Sequence, residues 1–126
     1  MSNDFLNVFL NEMKTNVNGF IAVAVTEIES GLSFGNITID PSFDPELAAA
    51  YNLEVVKAKL NAVKALGLNQ DIEDILITLS NQIHIIDISP NKKFMIYLAA
   101  DATKANLGMT RAVLRKHKSD LEKNLA

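Results

Sequence analysis

DPELAAAYNLEVVKAKLNAVKALG, residues 44–67, is the stretch that decides the fold, because it predicts a long central α-helix. Asp44 supplies an N-cap acceptor, Pro45 suits the first helical position, and Glu46 is an acid in the first turn. Gly67 is the residue type that most often ends a helix. The pattern therefore predicts a helix over residues 45–66, about 33 Å long at 1.5 Å per residue.

This helix is apolar on more than one face. One narrow stripe has helical spacing: Ala49, Leu53, Val56, Leu60 and Val63. A second set adds apolar surface beyond that stripe: Tyr51, Val55, Ala58, Ala62 and Leu66. Two interpretations are open: a core helix packed on its own sheet, or a helix whose second face packs against a partner helix, as in a dimer.

Segments rich in β-branched residues predict strands on both sides of the helix. The turn Glu29-Ser30-Gly31 separates two of them, residues 17–28 and 32–39, and Gly35 is a candidate β-bulge in the second. The first has apolar residues on both faces, which indicates a strand covered on two sides. After the helix, three more strands form a meander: residues 75–80, 83–89 and 94–99.

Two shorter amphipathic helices, residues 4–15 and 106–125, complete the pattern. The predicted order is α-β-β-α-β-β-β-α with short connections, which indicates an α+β fold built on a five-stranded antiparallel sheet. Three amphipathic helices are enough to cover both faces of that sheet. We expect a single domain over residues 1–126.

Composition excludes several classes of protein. The chain has 126 residues, 48% of them hydrophobic and 21% charged, which is typical of a folded domain rather than a disordered chain. It has no cysteine, so a disulfide framework or a thiolate metal site is excluded. The N-terminal segment lacks the basic start of a signal peptide, and no apolar run approaches the roughly 20 residues of a membrane span. We therefore expect a soluble cytoplasmic protein.

No pattern of reactive side chains predicts catalysis. His84 and His117 have no metal-binding neighbour at helical spacing, so local hydrogen bonds are expected for them. Asp71, Glu73 and Asp74 lack the spacing of a calcium loop and are interpreted as a solvated edge. Phosphate-binding loops and nucleophile motifs do not occur in the sequence. We expect no enzymatic activity, no cofactor and no metal.

The last helix is the one basic region of a chain whose net charge is -3. Residues 104–126 contain six Lys or Arg against Asp120 and Glu122. One stripe of the helix is predicted to pack on the sheet: Leu107, Thr110, Leu114, His117, Leu121 and Leu125. The cations are interpreted as its solvated face, since no aromatic residue lies among them, and nucleic-acid binding is not expected.

Element order and two segments resemble the roadblock/dynein light chain family, including its bacterial small-GTPase regulators. The first hairpin, residues 17–33, is similar to the family's apolar strand, acidic glycine turn and returning strand. Asn106-Leu107-Gly108-Met109, with Arg111 and Arg115 following, is similar to the family's closing Leu-Gly helix. The resemblance spans nearly the whole chain. It implies a long middle helix on one face of the sheet and the terminal helices on the other.

The resemblance also implies homodimers in which the third strands join and the long helices pair. The residues predicted to form that interface are Ala49, Leu53, Val56, Leu60, Val63, Ile75 and Ile77. Tyr51, Lys57 and Lys64 are predicted to contact a further partner. Members of the family are non-catalytic and act on small Ras-like GTPases or serve as subunits of motor complexes. The function implied is a homodimeric module that engages a small GTPase; the alternative is a structural or assembly subunit without a nucleotide-linked partner.

Overall fold

Eight elements form along the chain, in the predicted order. The computed structural model describes residues 2–125. The elements are α1 (Ser2–Asn16), β1 (Phe20–Glu27), β2 (Ser33–Thr38), α2 (Pro45–Ala65), β3 (Asp74–Thr78), β4 (Gln82–Ile88), β5 (Phe94–Asp101) and α3 (Leu107–Leu125). Each predicted helix and strand is present, with bounds shifted by up to three residues at the ends.

The start and end of α2 follow the predicted local chemistry. Asp44 Oδ1 accepts a hydrogen bond from the Leu47 backbone N–H at 3.1 Å, which satisfies one of the free donors of the first turn. Gly67 adopts a φ of 67° and its N–H donates to the Lys64 carbonyl at 3.0 Å. This left-handed residue closes the helix, and glycine adopts that conformation without a Cβ penalty.

All strand pairs are antiparallel, in the order β2-β1-β5-β4-β3. The two hairpins meet where β1 pairs with β5, so these strands are covered on both faces. The two-sided apolar pattern predicted for β1 is confirmed. β2 and β3 are left at the two edges of the sheet.

The sheet separates two hydrophobic clusters. One cluster joins α1 and α3 to one face, with Phe9, Met13, Leu114 and Leu121 buried in it. The other joins α2 to the opposite face, with Leu53 and Val56 among its members. The expected three-layer arrangement, with the long helix on one face and the terminal helices on the other, is therefore confirmed.

A β-bulge lies in β2 next to the predicted position. Val25 pairs with Gly35 and Thr26 with Ser33, so Phe34 is the extra residue. A Cβ on Gly35 would lie 2.8 Å from Leu6 Cδ2 of α1. Glycine at this position therefore lets α1 approach β2 closely.

Candidate partner interface

The stripe of α2 predicted to form a dimer interface faces the protein's own sheet. Ala49, Leu53 and Val56 have exposed fractions of 1%, 5% and 0% and belong to the cluster between α2 and the sheet. These three side chains have no surface left to offer to another chain. Of the two interpretations of α2, core packing is the one that describes this stripe.

The second apolar set of α2 lies on the opposite side and is largely exposed. Its members follow successive helical turns, and the structure adds Leu47 to them: Leu47, Tyr51, Val55, Ala58, Ala62 and the C-cap Leu66. We call these six residues the α2 outer face. Tyr51 and Leu66 are 72% and 70% exposed, and Leu47 and Val55 are also among the exposed large apolar side chains. A contiguous exposed apolar stripe of this kind marks a contact surface more often than scattered apolar residues do.

Leu60 and Val63, from the predicted interface, are half-buried near the end of α2. They line a cavity of about 420 Å³ between this end of the helix and residues 68–72. Lys64 and Lys92 lie at the same cavity. These two apolar residues keep some accessible surface, unlike the three that precede them in the stripe.

The three residues predicted to contact a further partner do not share one surface. At about 100° per residue, Lys57 lies about 120° round the helix from Tyr51, whereas Lys64 lies about 20° from Lys57. Tyr51 belongs to the α2 outer face, while Lys57 is half-buried and Lys64 is exposed on another side of the helix.

β3 presents an unpaired backbone edge. The Leu79 N–H donates to Gln82 and the Ile88 N–H donates to the Glu73 carbonyl, so odd-numbered residues bond to β4. The backbone groups of Asp74, Leu76 and Thr78 therefore point away from the sheet. The side chains of Ile75 and Ile77 lie on the α2 side of the sheet and are half-buried.

Ion pairs fasten α3 to β3 and β4. Arg111 donates through Nε and Nη2 to the two carboxylate oxygens of Asp74, at 3.0 and 2.9 Å. Lys118 Nζ lies 2.8 Å from Asp87 Oδ1, and Arg115 lies 3.7 Å from Glu73. The interpretation of these cations as a solvated face is wrong for Arg111 and Lys118, as is the solvated edge for Asp74, because α3 lies across the strands that carry the acids. Lys116 and Lys123 are exposed, as predicted.

Burial and pairing set the ionisation of these groups. Burial raises the pKa of Asp87, and the hydrogen bond from Lys118 acts in the opposite direction. The hydrogen bond to Asp74 raises the pKa of the Arg111 guanidinium. Arg111 therefore remains a permanent cation beside the β3 edge.

His84 makes local hydrogen bonds, as predicted, whereas His117 makes a packing contact. His84 Nε2 lies 2.8 Å from Gln82 Oε1, and Nδ1 lies 3.1 Å from the Tyr97 hydroxyl. This geometry fits a neutral ring with its proton on Nε2, so that Tyr97 donates to Nδ1. Burial lowers the pKa of His84 and raises the pKa of Tyr97 to about 12. His117 packs edge to face against Phe9, with ring centroids 5.9 Å apart.

Within residues 2–125, His, Asp and Glu side chains form no cluster of three or more that could hold a metal ion. In the same range, none of the helices is long and apolar enough to cross a membrane.

Sequence comparison gives no match: no protein-family model fits the chain and no curated protein is significantly similar to it. Solved structures do resemble it. Myxococcus xanthus MglB superposes with a TM-score of 0.82 at 15% identity, over 96% of this chain and 87% of that one. A Roadblock/LC7 domain from Streptomyces avermitilis gives 0.81 at 11% identity, over 94% and 95%. An MglB described as having a tetrameric arrangement gives 0.83 at 15% identity, over 98% and 90%.

The chain has the roadblock/LC7 fold. At identities of 11% and 15%, the fold is what these structures share with it. The resemblance seen in the sequence is thus confirmed at the level of architecture.

Periodicity reveals the apolar faces of α2 but not which of them the sheet covers, so the sequence did not show that Ala49, Leu53 and Val56 are buried against the sheet. The more strongly periodic stripe, which includes Leu53 and Val56, is the one buried against the sheet, and we call it the core stripe. The sequence did contain a signal for the outer face: Tyr51, Val55 and Leu66 are large apolar side chains, and a helix with one buried stripe needs none outside that stripe.

Proposed function

We propose that two copies of this chain, each a single domain over residues 1–126, pair through the β3 edge, and that the α2 outer face forms a second contact between copies. We further propose that the dimer is a binding module for a small Ras-like GTPase. The observation that carries the proposal is the exposed apolar stripe of α2 on a domain whose β3 edge is unpaired. The fold supports it, since the resemblance to roadblock proteins implies this mode of pairing.

The outer face is self-complementary for antiparallel pairing. A register that places Val55 opposite Ala58 of the second copy also places Tyr51 opposite Ala62, and Leu47 opposite Leu66. Larger side chains then face alanine at the centre of the contact, which is how packed layers interdigitate. An antiparallel pair of identical helices makes each of these contacts twice, as a two-fold interface requires.

The β3 edge is self-complementary as well. Pairing centred on Leu76 places Ile75 opposite Ile77 of the second copy, on the same face of the joined sheet. Leu76 of one copy then lies opposite Leu76 of the other, and the two residues form hydrogen bonds through their outward-pointing backbone groups. Of the residues predicted from the sequence, Ile75 and Ile77 lie on β3 and are half-buried, so they keep surface for this edge contact. Leu60 and Val63 are half-buried on the sheet side of α2 and stay proposed contacts beside that edge rather than part of the outer face.

Lys57 and Lys64 remain the proposed contact with the GTPase. They lie on a side of α2 that the outer face does not include, so pairing of the helices leaves them accessible. Two cations on one side of a helix suit an acidic surface on the partner.

The test uses small Ras-like GTPases of the organism that encodes this chain, each loaded with GDP or with a non-hydrolysable GTP analogue. We expect binding that depends on the nucleotide state, and a rate of GTP hydrolysis that changes when the protein is added. Replacing both Lys57 and Lys64 by Glu should weaken binding without changing the dimer mass. The matched control replaces the exposed Lys116 and Lys123 by Glu and should bind as the wild type does. Equal binding in both nucleotide states with unchanged hydrolysis would instead indicate an assembly subunit.

A further inference from the structure

The second edge of the sheet, β2, has a bulge but neither a charge nor a proline to oppose pairing. Its six residues, SFGNIT, include no ionisable side chain and no proline, which are two of the features that commonly block edge strands. Leu32 and Ile39 lie just outside its two ends and are 61% and 56% exposed. The edge is therefore uncharged along its length and apolar at both ends.

Hydrogen bonds to β1 show which backbone groups of β2 point outward. The Ile39 N–H donates to the Ile21 carbonyl, and the Glu27 N–H donates to the Leu32 carbonyl, so Ile39 and Leu32 both bond inward. Inward and outward positions alternate between them, with the bulged Phe34 and Gly35 together occupying one position. The outward positions are Ser33, Asn36 and Thr38.

When Phe34 and Gly35 are counted as one position, the sequence of side-chain types along residues 32–39 is the same from either end, with Asn36 at the centre. Ile37 corresponds to Phe34, and both pack against the cluster on the α1 side. Thr38 corresponds to Ser33, and Ile39 corresponds to Leu32. Apolar residues thus match apolar residues and hydroxyl residues match hydroxyl residues.

The bulge creates this symmetry. Ser33 and Thr38 are separated by an odd number of positions, so in a regular strand they would lie on opposite faces of the sheet. The extra residue at Phe34 brings both to the α2 side. An antiparallel pairing of two identical strands about a perpendicular two-fold axis requires opposite residues to share a face, and the bulged strand meets that requirement.

From this match we infer that β2 binds the β2 strand of a second copy, antiparallel, with Asn36 of each copy opposite Asn36 of the other. Self-complementarity identifies a second copy as the partner of this edge. Pairing two uncharged β2 strands brings no like charges of the strands together, and the two halves of the strand match each other in side-chain type. This contact goes beyond the proposed function. Because the proposed dimer uses β3, pairing through β2 joins dimers into a longer continuous sheet.

One charge lies beside the axis. Asn36 Nδ2 lies 3.4 Å from Glu46 Oε2, so the two-fold axis brings the Glu46 carboxylates of the two copies towards each other. Repulsion between them limits the association. Glu46→Gln should therefore strengthen it, as should added salt, which screens exposed charges.

A single-cysteine experiment tests the register. The chain has no cysteine, so Asn36→Cys introduces the one thiol of the protein. A hydrogen-bonded antiparallel pair has Cα atoms about 5.5 Å apart, within the range that a disulfide spans. Under mild oxidation Asn36→Cys should form covalent dimers in high yield. Ser119→Cys, exposed on α3, is the control and should not exceed the rate of random collision.

A charge-mixing experiment tests self-pairing. Asn36→Lys and Asn36→Asp each place like charges opposite each other and should weaken assembly beyond the dimer roughly fivefold or more. Mixing the two variants places Lys opposite Asp and should restore assembly. Asn36→Ser is the uncharged control and should behave as the wild type. Sedimentation velocity over a concentration series measures all four samples.

Two results would overturn the inference. The first is a rate of disulfide formation for Asn36→Cys that is no higher than the rate for Ser119→Cys. That result would show that the β2 edges of two copies do not pair. The second is equal assembly of Asn36→Lys, Asn36→Asp and their mixture. The double variant Val55→Glu/Asn36→Cys distinguishes the proposed β2 contact from the proposed α2 contact. Loss of the α2 contact should leave the disulfide at Asn36→Cys intact.

Discussion

Lys118 Nζ of α3 lies 2.8 Å from Asp87 Oδ1 of β4, and the two side chains are only 16% and 5% exposed. Together with the pair between Arg111 and Asp74, this buried contact holds the last helix against the strands that lead to the β3 edge. A buried ion pair adds little net stability over apolar packing, but removing one partner leaves an uncompensated charge.

Removal of Lys118 should therefore be costly. We expect Lys118→Met to lower the free energy of unfolding by about 3–5 kcal/mol, because Asp87 stays buried without its cation. Lys116→Met, on the exposed side of the same helix, should change it by less than about 0.5 kcal/mol. Urea unfolding followed by circular dichroism measures both. Combining Lys118→Met with Asp87→Leu should recover much of the loss; a double variant as unstable as the single one would show that the charge is not the cause.

The pH dependence of stability should contain a contribution from His84. Its pKa in the folded protein is lowered by burial, so between that value and the ordinary 6.5 the unfolded chain binds more protons than the folded one. Stability from this group is complete above pH 6.5 and is lost as the pH falls through that window. Unfolding midpoints measured from pH 7.5 to 5 should fall less steeply for His84→Gln than for the wild type. Identical slopes would contradict the assignment.

The two apolar faces of α2 should respond differently to charge. Val55→Glu places an unpaired charge in the proposed helix contact, which costs several kcal/mol of association, and should lower the average mass measured by light scattering while the fold is kept. Val8→Glu makes the same change at an exposed position of α1 and should leave the mass unchanged. An average mass equal to that of the wild type would show that the outer face forms no contact between copies.

Substitutions in the core stripe should act on folding rather than on pairing. Leu53→Glu and Val56→Glu bury a charge between α2 and the sheet, and we expect a loss of several kcal/mol in the free energy of unfolding. The thermal unfolding temperature checks this, measured beside Val55→Glu. Folded monomers with unchanged unfolding temperatures would instead identify the core stripe as the dimer interface.

Lys92 should be replaceable by glycine with a gain in stability. It adopts a φ of 61°, a left-handed conformation that costs a residue with a Cβ roughly 1 kcal/mol. Lys92→Gly should raise the free energy of unfolding by up to about 1 kcal/mol, reduced by loss of the exposed pair with Asp71. Lys93→Gly, the neighbouring control, should lower it. A loss in both variants would mean that the Lys92 side chain outweighs its backbone strain.

Much of the fold could be predicted because it depends on local signals. Asp44 and Gly67 bound α2 through capping chemistry that involves neighbouring residues alone. Alternation along β1 predicted a strand buried on two faces, and the structure confirms this burial for β1, which lies between β2 and β5. The bulge was predicted within one residue because Gly35 is unusual inside a strand.

The candidate interface was harder to predict. The ion pairs of Arg111 and Lys118 join residues 37 and 31 positions apart, and no local pattern identifies such partners. The sequence shows cations on a helix and acids near a strand, and solvation is the simplest interpretation of each by itself. Their pairing depends on where α3 crosses the sheet.

By itself the sequence determined the order of the elements, the ends of α2 and the presence of two apolar faces on that helix, since propensity, capping and periodicity act over a few residues. Only the tertiary structure decided which face is covered, which acids meet the α3 cations, and that the bulge makes β2 symmetrical about Asn36. These outcomes depend on strand order and on the lateral position of each helix, which result from packing between residues far apart in the chain.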